Sequence, residues 1–332
     1  MKIGNRVELK DIKVTPQAFE SFGVRSMCTL IETSELSLLV DPGVSLGPRF
    51  GILPHPEEYR ALRECRLKVA KAAETADVIV VSHYHNDHHT PSYRDTVWIG
   101  SNMEQAAEIV QGKDVLVKDI RSFINFSQRR RGWMFQKTSL KKAKSFQAAD
   151  EKVFQYGETK LRFSRPVYHG EEASPLGWVL MHTVERGNCK VMYAPDVQGP
   201  ILNETLKLIL SEKPDLLIIG GPPTYLSGFK ISEETLARAL GKLKQLVQNV
   251  PTTILEHHLL RDEGWRDFAE PAFRAAEEAG SRVLTAAEYV GKRNNLLECR
   301  RMKLYTEEPP RTEFQKWMKM PKEKRRLTQP PI

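Results

Sequence analysis

The sequence predicts an α/β fold in which two sheets pack face to face and helices cover their outer faces. Three observations predict it: β-rich runs come in two batches, each batch is accompanied by stretches of helical periodicity, and 40% hydrophobic content over 332 residues supplies a sizeable buried core.

The elements follow in order. Val24 to Glu32 and Leu36 to Val40 are β-rich runs separated by Thr33-Ser34-Glu35, and the second stops at Asp41-Pro42-Gly43, which predicts a hairpin followed by a turn. From Glu57 to Thr75, Leu62, Cys65, Val69 and Ala72 recur at three-and-four spacing, the buried stripe of a helix. Val78-Ile79-Val80-Val81 is a short buried strand that runs straight into Ser82-His83-Tyr84-His85-Asn86-Asp87-His88-His89. Runs at Lys152 to Arg165, Gly177 to Val184 and Lys190 to Ala194, with turns at Gly157-Glu158 and Arg186-Gly187-Asn188, form a meander. Helix and strand then alternate: a helix near Ile201 to Leu210, strand Leu216 to Ile219, helix Glu233 to Val247, strand Thr252 to Leu255 and helix Asp267 to Ala279.

Charged residues make up 28% of the chain, and no apolar run approaches the roughly 20 residues that a bilayer crossing needs, so no membrane association is expected. Met1 to Arg6 lacks the apolar core of a secretory signal, and Cys28, Cys65, Cys189 and Cys299 form no short-spaced pairs; a cytoplasmic location is expected. The net charge of +8 is local. Residues 121 to 149 hold eight bases and no acid, residues 311 to 326 hold seven bases against two acids, and the rest of the chain is net negative. These are two candidate contact surfaces.

Seven of the nine histidines fall in three places: His83, His85, His88 and His89; His169; and His257 with His258. The first group reads His-x-His-x-Asp-His directly after a buried strand, so a rigid sheet delivers several imidazoles and a carboxylate to one loop. Neutral imidazole and carboxylate are the donors that borderline metals such as zinc take. His83 and His85 can point to one side while Asp87 and His88 turn to another, which leaves room for two adjacent metals.

His83-x-His85-x-Asp87-His88 resembles the signature of the metallo-β-lactamase fold superfamily, and further landmarks arrive in the same order. His169 closes the strand Arg162 to Tyr168, Asp196 follows the strand Val191 to Ala194, and His257 or His258 follows Thr252 to Leu255; Asp41-Pro42-Gly43 after an early hairpin is likewise typical. The resemblance spans residues 20 to 290 or so, and with Glu256-His257-His258-Leu259-Leu260-Arg261-Asp262 it narrows to an uncharacterised, mainly archaeal group. It implies an αββα sandwich of two mixed sheets over residues 1–305, with a basic insertion at 121–149 and a basic, Pro-containing tail at 306–332 that has little packed core of its own. It implies that His83, His85 and His169 hold one divalent metal and that Asp87, His88 and the late histidine hold a second, with Asp196 bridging. Between the late pair His257 is preferred, because Ile254-Leu255-Glu256-His257 is similar to the corresponding stretch of tRNA 3′-processing enzymes. Zinc is the expected metal, although the same donors accept iron or manganese.

A water shared by two such ions loses its proton near neutral pH, so hydrolysis is the expected chemistry. Asp87 is a candidate to orient that water, and His258, His89 or Tyr84 to protonate the leaving group, while Asp41 is expected to orient a histidine rather than bind metal. Local positive charge favours an anionic substrate, a phosphate ester or nucleic-acid phosphodiester, with a thioester or lactone as the alternative. Tyr225, Lys230 and Arg261 are weaker candidates for substrate contact. Phe123, Phe126, Trp133, Phe135 and Phe146 among the bases of 121–149 match the cation-and-ring interleaving of a single-stranded nucleic-acid surface. The plainer expectation is that these rings pack down on the domain while Lys and Arg stay in water. A contrasting class is a nucleic-acid-binding protein that keeps the fold without turnover.

Overall fold

Alternation within the apolar runs decides which side chain enters which layer. Val78 and Val80 face the space between the sheets while Ile79 and Val81 face the helices, and Leu216 and Ile218 face inward while Leu217 and Ile219 face out. Continuous apolar strands of this kind belong where both faces are covered. The structure is a computed structural model that describes residues 9–332, so the reading made on Met1 to Arg6 lies outside the described residues.

The first sheet comprises β1 (Lys13–Phe19), β2 (Met27–Glu32), β3 (Ser37–Val40), β4 (Val78–Val81), β5 (Asp114–Val117) and β6 (Ser145–Ala148), adjacent in that order. Its first three strands are antiparallel and β3 to β6 run parallel. β7 (Val153–Tyr156) and β8 (Thr159–Phe163) open the second sheet, and β9 (Val167–Tyr168) pairs with β10 (Trp178–Val179) as a separate ribbon. β11 (His182–Arg186), β12 (Cys189–Ala194), β13 (Leu216–Gly220), β14 (Thr252–Glu256) and β15 (Arg282–Leu284) complete the second sheet in the order β15-β14-β13-β12-β11-β8-β7. Strands β12 to β15 are parallel and the others antiparallel. Helices α1 (Pro56–Thr75), α2 (Met103–Val110) and α3 (Phe126–Lys137) accompany the first sheet; α4 (Asn203–Glu212), α5 (Glu233–Asn249) and α6 (Trp265–Ala279) accompany the second. The short helices α7 (Ala286–Tyr289), α8 (Arg301–Glu307), α9 (Thr312–Met318) and α10 (Lys322–Leu327) follow. Two mixed sheets between helical layers make an αββα sandwich, with Phe19, Leu38, Leu161, Tyr193 and Ile254 in the layer between the sheets.

Three expectations need correction. The strand expected from Arg162 to Tyr168 breaks at Ser164-Arg165-Pro166, because Pro166 has no N–H for the ladder; Phe163 ends one strand and Val167 begins the ribbon. The basic segment is part of the sandwich rather than an insertion: α3 crosses from β5 to β6, and Ser145–Ala148 pairs parallel with Asp114–Val117. The C-terminal segment is docked. Phe314 and Trp317 are buried in the cluster that contains Tyr59 and Leu62 of α1, and Trp317 packs edge-on to Tyr59 at 5.6 Å.

The chain leaves the parallel strands β3, β4, β12 and β14 at their C-terminal ends, and those exits carry Asp41, the His83–His89 loop, Asp196 and the His257-His258 pair. Ligand sites of open α/β sheets form at such ends. Gly43 lets the loop close: a Cβ there would lie 2.3–2.6 Å from backbone atoms of Asp87, His88 and His89.

Candidate metal centre

Four separate exits of the sheets place their polar side chains around one carboxylate. Asp196 is buried, and its Oδ2 lies 2.8 Å from His169 Nε2, 3.1 Å from His83 Nε2, 3.2 Å from His88 Nε2 and 3.8 Å from His85 Nδ1. Its Oδ1 lies 2.8 Å from His257 Nε2 and 3.6 Å from His258 Nε2. Donor atoms fall into four overlapping groups of metal-binding size: His83, His85, His169 and Asp196; Asp41, His83 and His88; Asp87, His88 and His257; and Asp196, His257 and His258. Every metal-ligand candidate from the sequence is thus in one place. Asp87, partly buried like His85, reaches 3.7 Å from His257 Nε2.

The residues fit a metal by two observations. His169 Nε2 and Asp196 Oδ1 are buried without a hydrogen bond of acceptable geometry, although each has a partner atom at 2.8 Å. Atoms so close and so misaligned aim at a shared centre rather than at one another. The second observation is how the far nitrogens are held. His88 Nδ1 is 2.7 Å from Asp41 Oδ2 and His257 Nδ1 is 3.0 Å from Glu20 Oε2. A carboxylate there takes the Nδ1 proton and leaves the Nε2 lone pair facing inward. Ser82 Oγ donates to Asp41 Oδ2 at 2.5 Å, so toward His83 Nδ1, 3.0 Å away, it acts as acceptor with the same effect.

His258 is held the opposite way. Arg261 Nη1 lies 3.0 Å from its Nδ1, and a guanidinium can only donate, so neutral His258 carries its proton on Nε2. It has an N–H to offer and no lone pair for a metal. The two late histidines therefore differ in kind: His257 has the geometry of a ligand and His258 that of a hydrogen-bond donor. Arg261 is corrected from a substrate contact to an inner brace, since it is buried and bonds Glu20 Oε1 through Nε at 2.9 Å and Nη2 at 2.6 Å. Asp41 is saturated by Ser82 N, Ser82 Oγ, His88 Nδ1 and Tyr193 Oη, which makes it an orienting group.

In the bare cluster the charge on each histidine is set by burial against the neighbouring carboxylates. Burial, together with neighbouring imidazoles, keeps His83 well below the usual histidine range, and burial brings His85 down to about 4. Burial opposes charge on His257 too, but Asp196 and Glu20 outweigh it and push the ring up to about 9. For Asp87 and Asp196 burial opposes ionisation, and the surrounding His and Arg cations override it, holding both carboxyls well below the ordinary range. Backbone strain sits at the same places: Asp41 and His257, each one residue past a strand, have φ of +46° and +66°.

Glu20 is the residue that sequence reasoning missed. It opens the 3-10 turn Glu20–Phe22 directly after β1, is buried, and holds both His257 and Arg261. No spacing rule links it to a histidine more than 230 positions away. His89 faces away, its Nδ1 donating to the His85 carbonyl at 2.9 Å and its ring packed on Tyr84 and Phe135, and Tyr84 Oη donates to the Lys118 carbonyl. Neither is placed to protonate a leaving group.

The cluster opens into a cleft of about 430 Å³ lined by His85, Asp87, His169, Asp196 and His258. A larger cavity of about 800 Å³ between α1, α2 and the last residues of the chain contains none of the cluster's histidines and lies apart from this chemistry.

A fold of two mixed sheets between helices with this His/Asp cluster at the strand ends defines a class, and residues 24–244 match the family model described as β-lactamase superfamily domain; the chain belongs to that family. Within it the chain is 42% identical to a UPF0282 protein of Methanopyrus kandleri over 90% of its own length and 100% of the relative's. It is 40% identical to a UPF0282 protein of Pyrobaculum islandicum over 89% of its length and 95% of that protein's. It is thus a member of the UPF0282 group. The unliganded crystal structure of yeast PDE1 matches 84% of this chain and 98% of its own, with 12% identity and a TM-score of 0.51, a likeness of fold alone.

Proposed function

We propose that this protein is a hydrolase that uses two divalent metal ions, zinc foremost, on an anionic substrate of the phosphate-ester class. The observation that carries the reading is Asp196, a buried carboxylate at the centre of the cluster, with Oδ2 toward His83, His85, His88 and His169 and Oδ1 toward His257 and His258. A carboxylate so placed is suited to bridging. His83, His85 and His169 would hold one ion, and Asp87, His88 and His257 the other. Bound there, the ions supply a nucleophile from water at neutral pH and polarise the bond under attack.

The chain's own residues do the rest. Asp41, Ser82 and Glu20 fix the ring orientations of His88, His83 and His257, which keeps their lone pairs inward. Arg261 fixes His258 with its proton on Nε2, a buried atom without a hydrogen-bond partner in a residue that lines the cleft, and in this reading that N–H donates to the oxygen of a departing group. Asp87, grouped with His88 and His257, also lines the cleft, and in this reading it accepts a hydrogen bond from the attacking water. Arg131, which makes no ion pair among the described residues, stands in the cleft wall and supports an anion over a lactone or thioester.

A panel of a phosphodiester, a phosphomonoester, a thioester and a lactone, offered to zinc-loaded protein, tests this. Turnover of a phosphate ester, abolished in His85→Ala plus Asp87→Ala, is expected. Turnover confined to the uncharged esters, or none at all from protein carrying two ions, contradicts it.

A further inference from the structure

Four of the five rings in the basic segment do not pack down: Phe123, Phe126, Trp133 and Phe146 are 60%, 82%, 50% and 48% exposed, and only Phe135 is buried. That overturns the plainer expectation for the segment and leaves large apolar rings in water on a segment of eight bases, of which Arg121 and Lys144 are paired with Asp119 and Asp114. One of the rings, Phe123, belongs to a structure continuous with the metal cluster. Phe123 meets Trp178 at 6.2 Å between ring centroids, and Trp178 lies 5.2 Å from Tyr168 at an interplanar angle of 32°. Tyr168 immediately precedes His169. Phe126 opens α3 three residues beyond Phe123.

This face is held rigidly to the cluster. Gln128 of α3 is buried; its Oε1 accepts from the Tyr84 amide inside the histidine loop at 3.2 Å, and its Nε2 donates to the Leu176 carbonyl at 2.6 Å. Asn125 Nδ2 donates to the Pro175 carbonyl at 2.8 Å. The same helix sends Arg131 to the cleft. Of the four arginines lining it, Arg25, Arg261 and Arg326 are paired with Glu298, Glu20 and Asp95, whereas Arg131 donates to Ser127 Oγ and makes no ion pair among the described residues; its Nε is buried without a partner. A guanidinium with spare donors in the cleft wall, and exposed rings on the same helix and on the loop before it, are complementary to a chain that alternates anionic groups with flat ones.

We infer that the face formed by Tyr168, Trp178, Phe123, Phe126 and Arg131 binds a single-stranded nucleic acid, stacking its bases while a phosphate is drawn by Arg131 toward the Asp196 cluster. This rests on the hydrolase reading for the fate of the phosphate but not for the binding. Stacking on aromatic side chains tolerates any base, and the positive surface tracks the backbone, so little sequence preference and strong salt dependence are expected. A duplex keeps its bases stacked on one another and cannot use the rings.

The test is fluorescence anisotropy of a labelled single-stranded dodecamer, RNA and DNA in separate arms, with zinc-loaded full-length protein, gel analysis confirming an intact strand, and duplex and inorganic polyphosphate as competitors. Tight binding of either strand is expected, the tighter one naming the sugar, with both competitors at least about tenfold weaker. Phe123→Ala plus Phe126→Ala should weaken the strand about tenfold and polyphosphate less than about twofold, while Arg131→Ala weakens both. A ring variant that binds the strand like the wild type, or polyphosphate that competes as well as the strand, overturns the inference. Thermal melts check folding; if the double variant is unstable, Phe126→Ala alone, at the most exposed ring, must still weaken the strand about threefold. Hydrolysis of a small chromogenic phosphodiester separates the two readings. If the ring face is wrong, that activity persists with strand binding indifferent to the rings; if the hydrolase reading is wrong, strand binding persists with no activity.

Discussion

At the scale of single residues, the site is decided by which nitrogen of each imidazole carries a proton. Glu20, Asp41 and Ser82 hold protons on the outer nitrogens of His257, His88 and His83, and Arg261 holds one on the inner nitrogen of His258. Glu20→Gln should therefore keep the fold and lower affinity for one of two ions by about 10–100-fold while sparing the other, as read by competition with a chromogenic chelator. Of the site's residues, the histidines and aspartates were legible in the sequence, because strand-end placement and short spacing are local signals. Glu20, Tyr193 and Gln128 were not: a single buried carboxylate, hydroxyl or amide acquires its role only from what the fold sets beside it. A second prediction concerns acid stability. Burial opposes ionisation of Glu298, but the Arg25 guanidinium, at 2.6 Å, overrides it and lowers the carboxyl from 4.5 to about 2. A depressed folded-state value means the pair's contribution is present above about 4.5 and is lost as pH falls from there toward about 2. In urea melts between about pH 5 and pH 3, wild-type stability should fall more steeply than that of Glu298→Gln; equal slopes would refute the assignment.

At the scale of elements, strands buried on both faces announced themselves. β4, β12, β13 and β14 are apolar runs bounded by turn residues, and α1 and α5 show their stripes. β1 did not, because Pro16 sits at its bulge, where the register shifts between Pro16 and Ala18. β5 and β6 are four residues each, and β6 is an exposed sheet edge whose sequence Ser-Phe-Gln-Ala resembles a loop. The C-terminal helices were hidden by composition: charge and proline dominate the segment, while its attachment rests on Phe314, Trp317 and the buried Arg301–Glu58 ion pair at 2.7 Å. Trp317→Ala should accordingly destabilise the whole protein by about 3–5 kcal/mol, measured by chemical denaturation as one cooperative transition. A loss below about 1 kcal/mol would mean the segment is an appendage after all.

At the scale of the whole molecule, the two sheets are built alike, each with an antiparallel half and a parallel half, and the exits from both parallel halves meet at Asp196. The local positive charge seen in the sequence converges on the same place, since Arg131 of the first basic segment and Arg326 of the second both line the cleft. Fold and charge thus serve one site. The claim beneath all of this is that Asp196 joins two ion sites, and the most direct test is the metal content of the chain after dialysis against excess zinc, measured by plasma mass spectrometry alongside Asp196→Ala. Two ions per wild-type chain, with neither retained in the variant, are predicted; one ion or none in the wild type, or two still bound without Asp196, would contradict it.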